Sequence, residues 1–295
     1  MRKHIISRKL EGDWGGRVWM RDPAVIFWDG LYHCFYTHID SERAERKGLQ
    51  LALARITSSD LREWSRPEIL LDSPLGFSSP GNVLRTDEGF VLCLQSYPID
   101  PGEIYGSQNC RLWLMKSKDL KTFDAPMIIS EEGCTAAWAV TKRQIDPYLL
   151  CDGSRYYVFY KTDGCIGLLK SENMVAFEEA SVRPVLQPSQ LPDNSSVENP
   201  CVVWDGDGYR MFFAPCRKGR GIGVARSQDL VHWHDIRYLD FPEIPWAVGG
   251  PTAPMVLDDR SRSGKWLMFF HGDTEGEHGG ALGMAYSEDL ENWGI

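Results

Sequence analysis

Residues 58–64, with the sequence SSDLREW, decide the fold because the same pattern returns four more times along the chain. Each copy has a serine at its first position, Asp or Asn at its third, Leu or Met at its fourth and an aromatic residue at its seventh. The other copies are SKDLKTF at 117–123, SENMVAF at 171–177, SQDLVHW at 227–233 and SEDLENW at 287–293. Successive first serines are 59, 54, 56 and 60 residues apart. Five copies at so even a spacing indicate a repeat architecture.

Each copy closes a similar unit of short strands. In the first unit, residues 22–30 (DPAVIFWDG) and 31–37 (LYHCFYT) predict a hairpin around an Asp-Gly turn, and residues 49–61 (LQLALARITSSDL) predict a third strand. No segment shows a sustained 3.6-residue apolar period, so we expect few helices. The pattern therefore predicts an all-β chain that forms a five-bladed β-propeller. A two-sheet sandwich also uses short strands, but it gives no reason for five copies of one motif.

The repeat also predicts the domain organisation. We expect residues 1–295 to form one catalytic propeller domain, with blades at roughly 18–75, 76–133, 134–190, 191–245 and 246–295. The first four copies are followed by a segment that fits an outer strand, whereas the fifth is not. We therefore expect residues 4–10 (HIISRKL) to supply that strand and to cover the open sheet edge.

Composition limits the possible partners. The chain is 43% hydrophobic and 25% charged, as in ordinary globular proteins, and its net charge of -9 argues against binding to nucleic acid. No segment has the roughly 20 apolar residues of a membrane span or the continuous apolar core of a signal peptide. We therefore expect a cytoplasmic protein without a membrane partner, and we make no prediction of oligomeric state. Five of the eight cysteines lie in apolar strand-like runs, which favours buried reduced thiols: Cys34, Cys93, Cys151, Cys201 and Cys216.

The prolines and the acids beside them point to a site. Every unit opens its first strand at a proline, which is tolerated at a strand's start or on a free edge such as a channel wall. Asp22 and Asp146 directly precede such a proline, and Glu198 precedes one by two residues. If all inner strands start at one end of the channel, these three carboxylates meet there and raise each other's pKa. Asp before Pro is also a common turn initiator, which is the alternative explanation for each Asp alone.

This triplet resembles the catalytic acids of the five-bladed propeller glycoside hydrolases of families 43 and 32 (clans F and J). Residues 19–23 (WMRDP) resemble the Trp-Met-Asn-Asp-Pro-Asn-Gly signature of family 32, and residues 77–79 (FSS) resemble its Phe-Ser-Gly-Ser element. Residues 145–147 (IDP) and 198–200 (ENP) are similar to the Asp-Pro and Glu-Gly-Pro elements of family 43.

The resemblance implies a glycosidase with a three-carboxylate site. Glu198 would be the general acid, its pKa raised by its neighbours, and Asp22 the general base of a family 43 enzyme or the nucleophile of a family 32 enzyme. Asp146 would stay ionised, orienting Glu198 and supporting the positive transition state. The expected substrate is an oligosaccharide that ends in a furanose or pentose such as arabinose, xylose or fructose.

Weaker candidates surround this triplet. Five residues are candidates for substrate binding: Trp19, Arg21, Ser78, Trp138 and His271. The reaction requires no cofactor. Because related enzymes sometimes hold a cation near a histidine of blade five, His271 is also a weak candidate ligand for a structural or channel-bound calcium ion.

Two other functions remain open on the sequence. The first is a glycoside phosphorylase, whose phosphate pocket would use Arg143, Lys161, Arg217, Lys218 and Arg220. The second is a sugar-binding propeller without catalysis. Dependence of turnover on phosphate distinguishes the phosphorylase from the hydrolase, and an absence of cleavage identifies the binding protein.

Overall fold

The computed structural model describes residues 8–15, 17–217, 219, 221–241, 244–274 and 278–294. Most of the regular structure in these ranges is β-strand. The strands of the first half are β1 Arg8–Lys9, β2 Glu11–Gly12, β3 Val18–Trp28, β4 Leu31–Asp40, β5 Ala52–Ser58, β6 Glu63–Trp64, β7 Glu68–Asp72, β8 Ser78–Thr86, β9 Gly89–Ser96, β10 Arg111–Ser117 and β11 Met127–Ile128. Those of the second half are β12 Ile145–Cys151, β13 Tyr156–Thr162, β14 Cys165–Ser171, β15 Glu178–Glu179, β16 Ser196–Trp204, β17 Tyr209–Cys216, β18 Gly223–Ser227, β19 His234–Tyr238, β20 Pro251–Asp259, β21 Lys265–Asp273 and β22 Gly280–Ser287.

Helices are short. They are α1 Ser41–Lys47, α2 Arg260–Ser263 and a 3₁₀ turn at Pro188–Gln190. Within the described ranges, none of the helices has the length and apolar character that crossing a bilayer requires.

The strands form five four-stranded antiparallel sheets arranged as blades around a central axis. Blade one has the strand order β3-β4-β5-β7, blade two β8-β9-β10-β11, blade three β12-β13-β14-β15 and blade four β16-β17-β18-β19. Blade five has the order β20-β21-β22-β1. The predicted five-bladed β-propeller is confirmed.

The N-terminal segment joins blade five to blade one. Strand β1 pairs antiparallel with β22, with Lys9 opposite Gly283, and so supplies the outer strand that the fifth unit lacks. Strand β2 then pairs in parallel with β6 beside blade one. Between them Leu10 is 3% exposed and packs in one cluster with Trp64 and Met284. Residues 4–7 of the predicted closing strand lie outside the described residues.

The repeated motif forms a turn with the same hydrogen bonds in every blade. In the first copy, the hydroxyl of Ser58 accepts the N–H groups of Asp60 and Leu61, and the carboxylate of Asp60 accepts those of Arg62 and Glu63. The fourth residue of each copy has a positive φ, between 58° and 68°. The side chains at positions one and three therefore satisfy main-chain groups that a left-handed turn leaves without strand partners.

The aromatic residue that ends the motif joins neighbouring blades. Trp64 packs edge-on against Phe269 of blade five at 6.4 Å between ring centroids, and Trp233 packs against Phe159 of blade three at 6.1 Å. The second and fifth copies make the same contact with the preceding blade, through the pairs Phe123–Phe35 and Trp293–Phe212. Such edge-to-face pairs add about 0.5–1.5 kcal/mol beyond the area that they bury. In four of the five copies this aromatic residue therefore connects its blade to a neighbouring blade.

The residue before each inner-strand proline adopts a left-handed conformation. The φ angles lie between 44° and 53° at Asp22, Ser79, Asp146, Asn199 and Ala253. The pairing register of each inner strand with its neighbour shifts at this point, as it does between Arg21 and Ala24. A bulge of this kind redirects one side chain and frees its main-chain N–H group from the ladder. The five bulges thus form a ring at one end of the channel.

Adjacent inner strands approach each other closely near this ring. A Cβ atom on Gly81 would lie 1.6 Å from the carbonyl oxygen of Pro147, so only glycine fits there. One residue further on, the amide of Asn82 donates to the carbonyl oxygen of Leu149 (2.7 Å) and accepts its N–H (2.8 Å). Blades two and three are therefore fastened to each other beside the channel.

All eight cysteines are free thiols. The prediction of buried thiols is confirmed for Cys34, Cys93 and Cys201, whereas Cys151 is partly exposed. The prediction is wrong for Cys216, which is exposed because it ends β17 at the rim of the propeller.

Candidate active site

The candidate site is a cavity of about 260 Å³ at the end of the channel where the inner strands begin. Asp22, Asp146 and Glu198 all line it, together with Arg21, Ser78 and His271 from the other predicted site residues. Below it, the five residue-proline pairs narrow the channel to about 20 Å³, which is room for about one water molecule. A sugar can therefore enter only from the open end of the cavity.

A second ring of side chains supports the ring of bulges in the inner strands. Residues Thr37, Gln95, Lys161, Ala214 and His271 occupy equivalent positions on the second strands of the five blades, opposite the inner-strand bulges. The main-chain N–H groups of Ser79, Asp146 and Asp22 donate to Thr37 (2.8 Å), Gln95 (2.7 Å) and His271 (3.1 Å) of the preceding blade. Three of the five donors that the bulges free are thus satisfied across a blade boundary. The junction of blades four and five differs, because both of its residues, Ala214 and Ala253, are alanine.

Asp22 is oriented by a chain of hydrogen bonds. Because the hydroxyl of Thr37 accepts the N–H of Ser79, its own proton points to Oδ2 of Asp22 at 2.8 Å. Thr37 is 2% exposed, so its hydroxyl has little freedom to turn away. The other oxygen, Oδ1, lies 3.5 Å from Nδ1 of His271, which is itself an acceptor, and no hydrogen bond from the described residues reaches it. This arrangement suits a carboxylate that acts on substrate or water.

Asp146 is the most deeply buried of the three acids, at 8% exposure. The hydroxyl of Ser79 donates to its Oδ1 at 3.3 Å. Burial is the largest cause that raises the pKa of Asp146, the carboxylates of Glu198 and Asp22 add to it, and the charge of Lys161 opposes it; together they bring the pKa to about 7. The carboxyl group of Asp146 therefore holds a proton more readily than an exposed Asp does. The loss of hydration in the narrow end of the cavity acts against an ionised Asp146, so that its expected ionisation stays a prediction.

Glu198 is paired with a lysine that comes from another blade. The Lys161 ammonium lies 2.5 Å from Oε2 of Glu198, and both side chains are 16% exposed. Burial disfavours the Lys161 cation, but Glu198 and Asp146 outweigh this and raise the pKa of Lys161. A cation so close favours the ionised form of Glu198. The role of Glu198 as the general acid stays a prediction.

His271 is buried and neutral. Its Nδ1 accepts the N–H of Asp22, so Nδ1 carries no proton and Nε2 points toward Asp273 at 3.5 Å. Burial and the nearby charge of Arg21 lower the pKa of His271. Arg21 itself lies 3.5 Å from the same oxygen of Asp273.

These contacts do not fit a metal ion on His271. Its Nδ1 is occupied, and its Nε2 faces an oxygen that is already beside a guanidinium group. The described residues contain no group of three His, Cys, Asp or Glu residues that is arranged to hold an ion. We assign no ion to His271.

The predicted aromatic residues lie elsewhere. Neither Trp19 nor Trp138 is among the described residues that line the cavity. Trp138 packs instead against the core between blades two and three. Two tyrosines of the segment between β9 and β10 line the cavity: Tyr97, and Tyr105 with 61% exposure. An exposed ring at the entrance is suited to stacking on a sugar, and no repeat pattern in the sequence marks this segment.

Arg143 lines the cavity beside Tyr97. Its guanidinium group donates to the Tyr97 hydroxyl at 2.9 Å and lies over the Tyr97 ring. Of the other basic residues considered for a phosphate pocket, Arg217 is outside the cavity, over the ring of Tyr238. Lys218 and Arg220 are outside the described residues.

Comparisons with known proteins place the fold. No family profile matches the chain, and no curated protein matches its sequence. Solved structures do match its fold. An exo-1,5-α-L-arabinanase from a bovine ruminal metagenomic library is 15% identical, with 91% of this chain and 92% of that chain covered and a TM-score of 0.67. A family 43 endo-arabinanase from Bacillus licheniformis is 17% identical, with 98% and 100% covered and a TM-score of 0.68. A thermostable family 43 glycoside hydrolase is 15% identical, with 92% and 90% covered and a TM-score of 0.62. At these identities the likeness establishes the fold, which the chain shares with these three proteins.

Proposed function

We propose that the protein is a glycoside hydrolase that releases a terminal sugar from an oligosaccharide. One observation carries the proposal: Asp22, Asp146 and Glu198, which are far apart in sequence, line one cavity at the mouth of the channel. Because two of the structural neighbours are arabinanases, we propose arabinose as the first choice among furanoses and pentoses, before xylose and fructose. The resemblance to family 32 stays a prediction.

Glu198 would act as the general acid and would receive its proton within the site. The leaving-group oxygen needs a proton donor, and the Lys161 ammonium disfavours a proton on Glu198 before substrate binds. Because its pKa is raised to about 7, Asp146 can hold a proton near neutral pH, and its electrostatic coupling to Glu198 supports the sharing of one proton by the two acids. After transfer, ionised Asp146 would support the positive charge of the transition state.

Asp22 would be the second catalytic carboxylate. With Oδ2 fixed by Thr37, Oδ1 would either activate a water molecule or attack the anomeric carbon. Proton NMR of the first-formed product distinguishes the two roles. Inversion at the anomeric carbon would identify Asp22 as a base, and retention would identify it as a nucleophile.

The decisive experiment is a screen of nitrophenyl arabinofuranoside, xyloside, galactoside and fructosides, followed by variants on the best substrate. Asp22→Asn and Glu198→Gln should each lower turnover by at least about 100-fold, the usual scale for losing an acid or base. The matched controls are Asp29→Asn, at the hairpin turn that follows the same strand, and Glu178→Gln on the exposed strand β15. Full activity in Asp22→Asn or Glu198→Gln, or cleavage neither of these substrates nor of the corresponding nitrophenyl uronides, would contradict the proposal.

Two further predictions accompany this function. We propose a cytoplasmic location, tested by fractionating cells that produce the protein. We also propose that turnover needs no cofactor; activity that is lost with a chelator and restored by Ca²⁺ would instead show that an ion binds somewhere in the channel.

A further inference from the structure

The catalytic cavity adjoins a second cavity, and two cationic side chains lie between them. The second cavity has a volume of about 150 Å³ and is lined by Gln108, Thr141, Thr162, Asp163 and Gly164. Arg143, Ile145 and Lys161 line both cavities. A ligand group placed between the two cavities would therefore contact a guanidinium and an ammonium group.

The three cationic side chains of the catalytic cavity differ in how they are neutralised. Lys161 is paired with Glu198, and Arg21 lies beside Asp273. Among the described residues, no carboxylate lies within ion-pair distance of Arg143. Its close neighbours are the Tyr97 hydroxyl and the Cys110 thiol, and burial raises the pKa of both, so that they are neutral.

Arg143 is partly buried, and its Nε has no hydrogen-bond partner among the described residues. The carboxyl group of Asp146 is close enough to act on the charge of Arg143, but burial raises the pKa of Asp146 to about 7, which weakens it as a counter-ion. Holding a guanidinium group away from water without a counter-ion costs stability. The guanidinium group of Arg143 therefore keeps a charge that no carboxylate directly beside it neutralises, although Asp22, Asp146 and Glu198 line the same cavity.

An oxyanion matches this position best. Carboxylates and phosphates accept paired N–H groups from a guanidinium in a planar fork, and such charge-assisted bonds are about twice as strong as neutral ones. The hydroxyl groups of Thr141 and Thr162 line the same space. Asp163 would repel an anion deep in the second cavity, although its carboxylate accepts the N–H groups of Val140 and Thr141 and the Thr141 hydroxyl. The anion is therefore expected at the boundary, beside Arg143.

We propose that Arg143 forms an oxyanion subsite, so that the glycoside processed here carries a carboxylate or is processed together with a phosphate. The role of this subsite in turnover rests on the proposed function. An acidic sugar bound at Arg143 would have its glycosidic bond in the neighbouring catalytic cavity. The two sources of the anion share one chemistry, which is a planar or tetrahedral oxyanion bound by a guanidinium group.

The test compares acidic and neutral probes by isothermal titration calorimetry at constant ionic strength. D-Galacturonate and D-glucuronate are compared with D-galactose and D-glucose, and inorganic phosphate is titrated separately. At least one of the oxyanions should bind to the wild-type protein. A uronate that binds should do so at least tenfold more tightly than its neutral counterpart. Arg143→Gln should weaken this binding at least tenfold, and Arg143→Lys should restore part of it. The matched control is Arg85→Gln, which removes a guanidinium that lies over Trp28.

The outcomes separate the two sources and the two proposals. If uronates bind and turnover does not depend on phosphate, the anion is part of the sugar. If turnover rises with phosphate, phosphate is a co-substrate. Oxyanion binding that depends on Arg143 without cleavage of any glycoside would support the subsite and overturn the hydrolase. Cleavage of neutral glycosides with no oxyanion preference, or a preference unchanged in a folded Arg143→Gln variant, would overturn the subsite alone.

Discussion

Replacing Asp146 with asparagine should make the protein more stable and less active. The carboxyl group is buried, and its pKa rises from 3.8 to about 7 on folding. The folded state therefore binds the proton more tightly than the unfolded state, and ionisation opposes folding. Below about pH 4 the group is protonated in both states and does not lower the free energy of unfolding. The free energy of unfolding then falls as the pH rises through 7. Asparagine is similar in shape, tolerates the positive φ at this position and carries no charge.

The structure sets the size of this effect. Each pH unit between the two pKa values corresponds to about 1.4 kcal/mol, so that the ionised group lowers the free energy of unfolding by about 4 kcal/mol above pH 7. For a chain of this length, 1 kcal/mol shifts the melting temperature by about 2 °C. Under the proposed sharing of one proton between Asp146 and Glu198, we expect Asp146→Asn to raise the melting temperature by about 3–8 °C at pH 8. At pH 4.5 the rise should be below about 2 °C.

Differential scanning calorimetry at the two pH values measures both numbers, and Asp163→Asn is the matched control. Asp163 lies on the same blade with a similar φ of 49°. Burial opposes its charge, but hydrogen bonds from Thr141 and Val140 lower its pKa. Asp163→Asn should therefore lower the melting temperature at pH 8, and less so at acid pH. A melting temperature of Asp146→Asn below that of wild type at pH 8, or a rise that is equal at both pH values, would refute this reasoning.

Three further changes test other parts of the structure. Deleting residues 1–10 removes β1 and the Leu10 side chain, whose burial contributes about 2–3 kcal/mol to stability. Calorimetry should therefore show a melting temperature that is several degrees lower. An unchanged melting temperature would mean that the ring closes without this strand. Asn82→Ala leaves the N–H and C=O groups of Leu149 unpaired, so that urea titration should show a loss of about 2–4 kcal/mol; a loss below about 1 kcal/mol would contradict the role of Asn82 as a fastener. Thr37→Val should lower kcat about 10- to 100-fold, because Asp22 loses the hydrogen bond that orients it. Thr37→Ser keeps the hydroxyl group and should retain activity. Equal kcat values for the Val and Ser variants would exclude the hydroxyl group as the cause.

The fold could be predicted from the sequence because its determinants are local and repeated. The serine and aspartate of each motif make their own turn, and the aromatic residue at position seven contacts the neighbouring blade, so the pattern of residues is also the pattern of contacts. The convergence of Asp22, Asp146 and Glu198 could be predicted for the same reason, since each lies one or two residues before a repeated proline.

The second ring could not be predicted in the same way. Thr37, Gln95, Lys161 and His271 have nothing in common as residue types, and only their equal register opposite the bulges relates them. Aligning the five units at their prolines and reading across each hairpin would have found the positions. It would not have found the partners, because Lys161 reaches the next blade and His271 accepts a main-chain N–H. Tyr105 and Arg143 lie outside the repeat altogether, where local pattern carries no information about the cavity.

The pairing of Lys9 with Gly283 has a consequence for synthesis of the chain on the ribosome. One edge of the last sheet is among the first segments to be made, and it must wait until more than nine-tenths of the sequence has been translated before its partner exists. Blades one to four can fold in order as they emerge, since their contacts are sequential, but the circle closes only afterwards. Contacts of such long sequence separation form slowly. We therefore expect closure to be the last kinetic step, and nascent chains that stop short of β22 to hold an open, protease-sensitive arc.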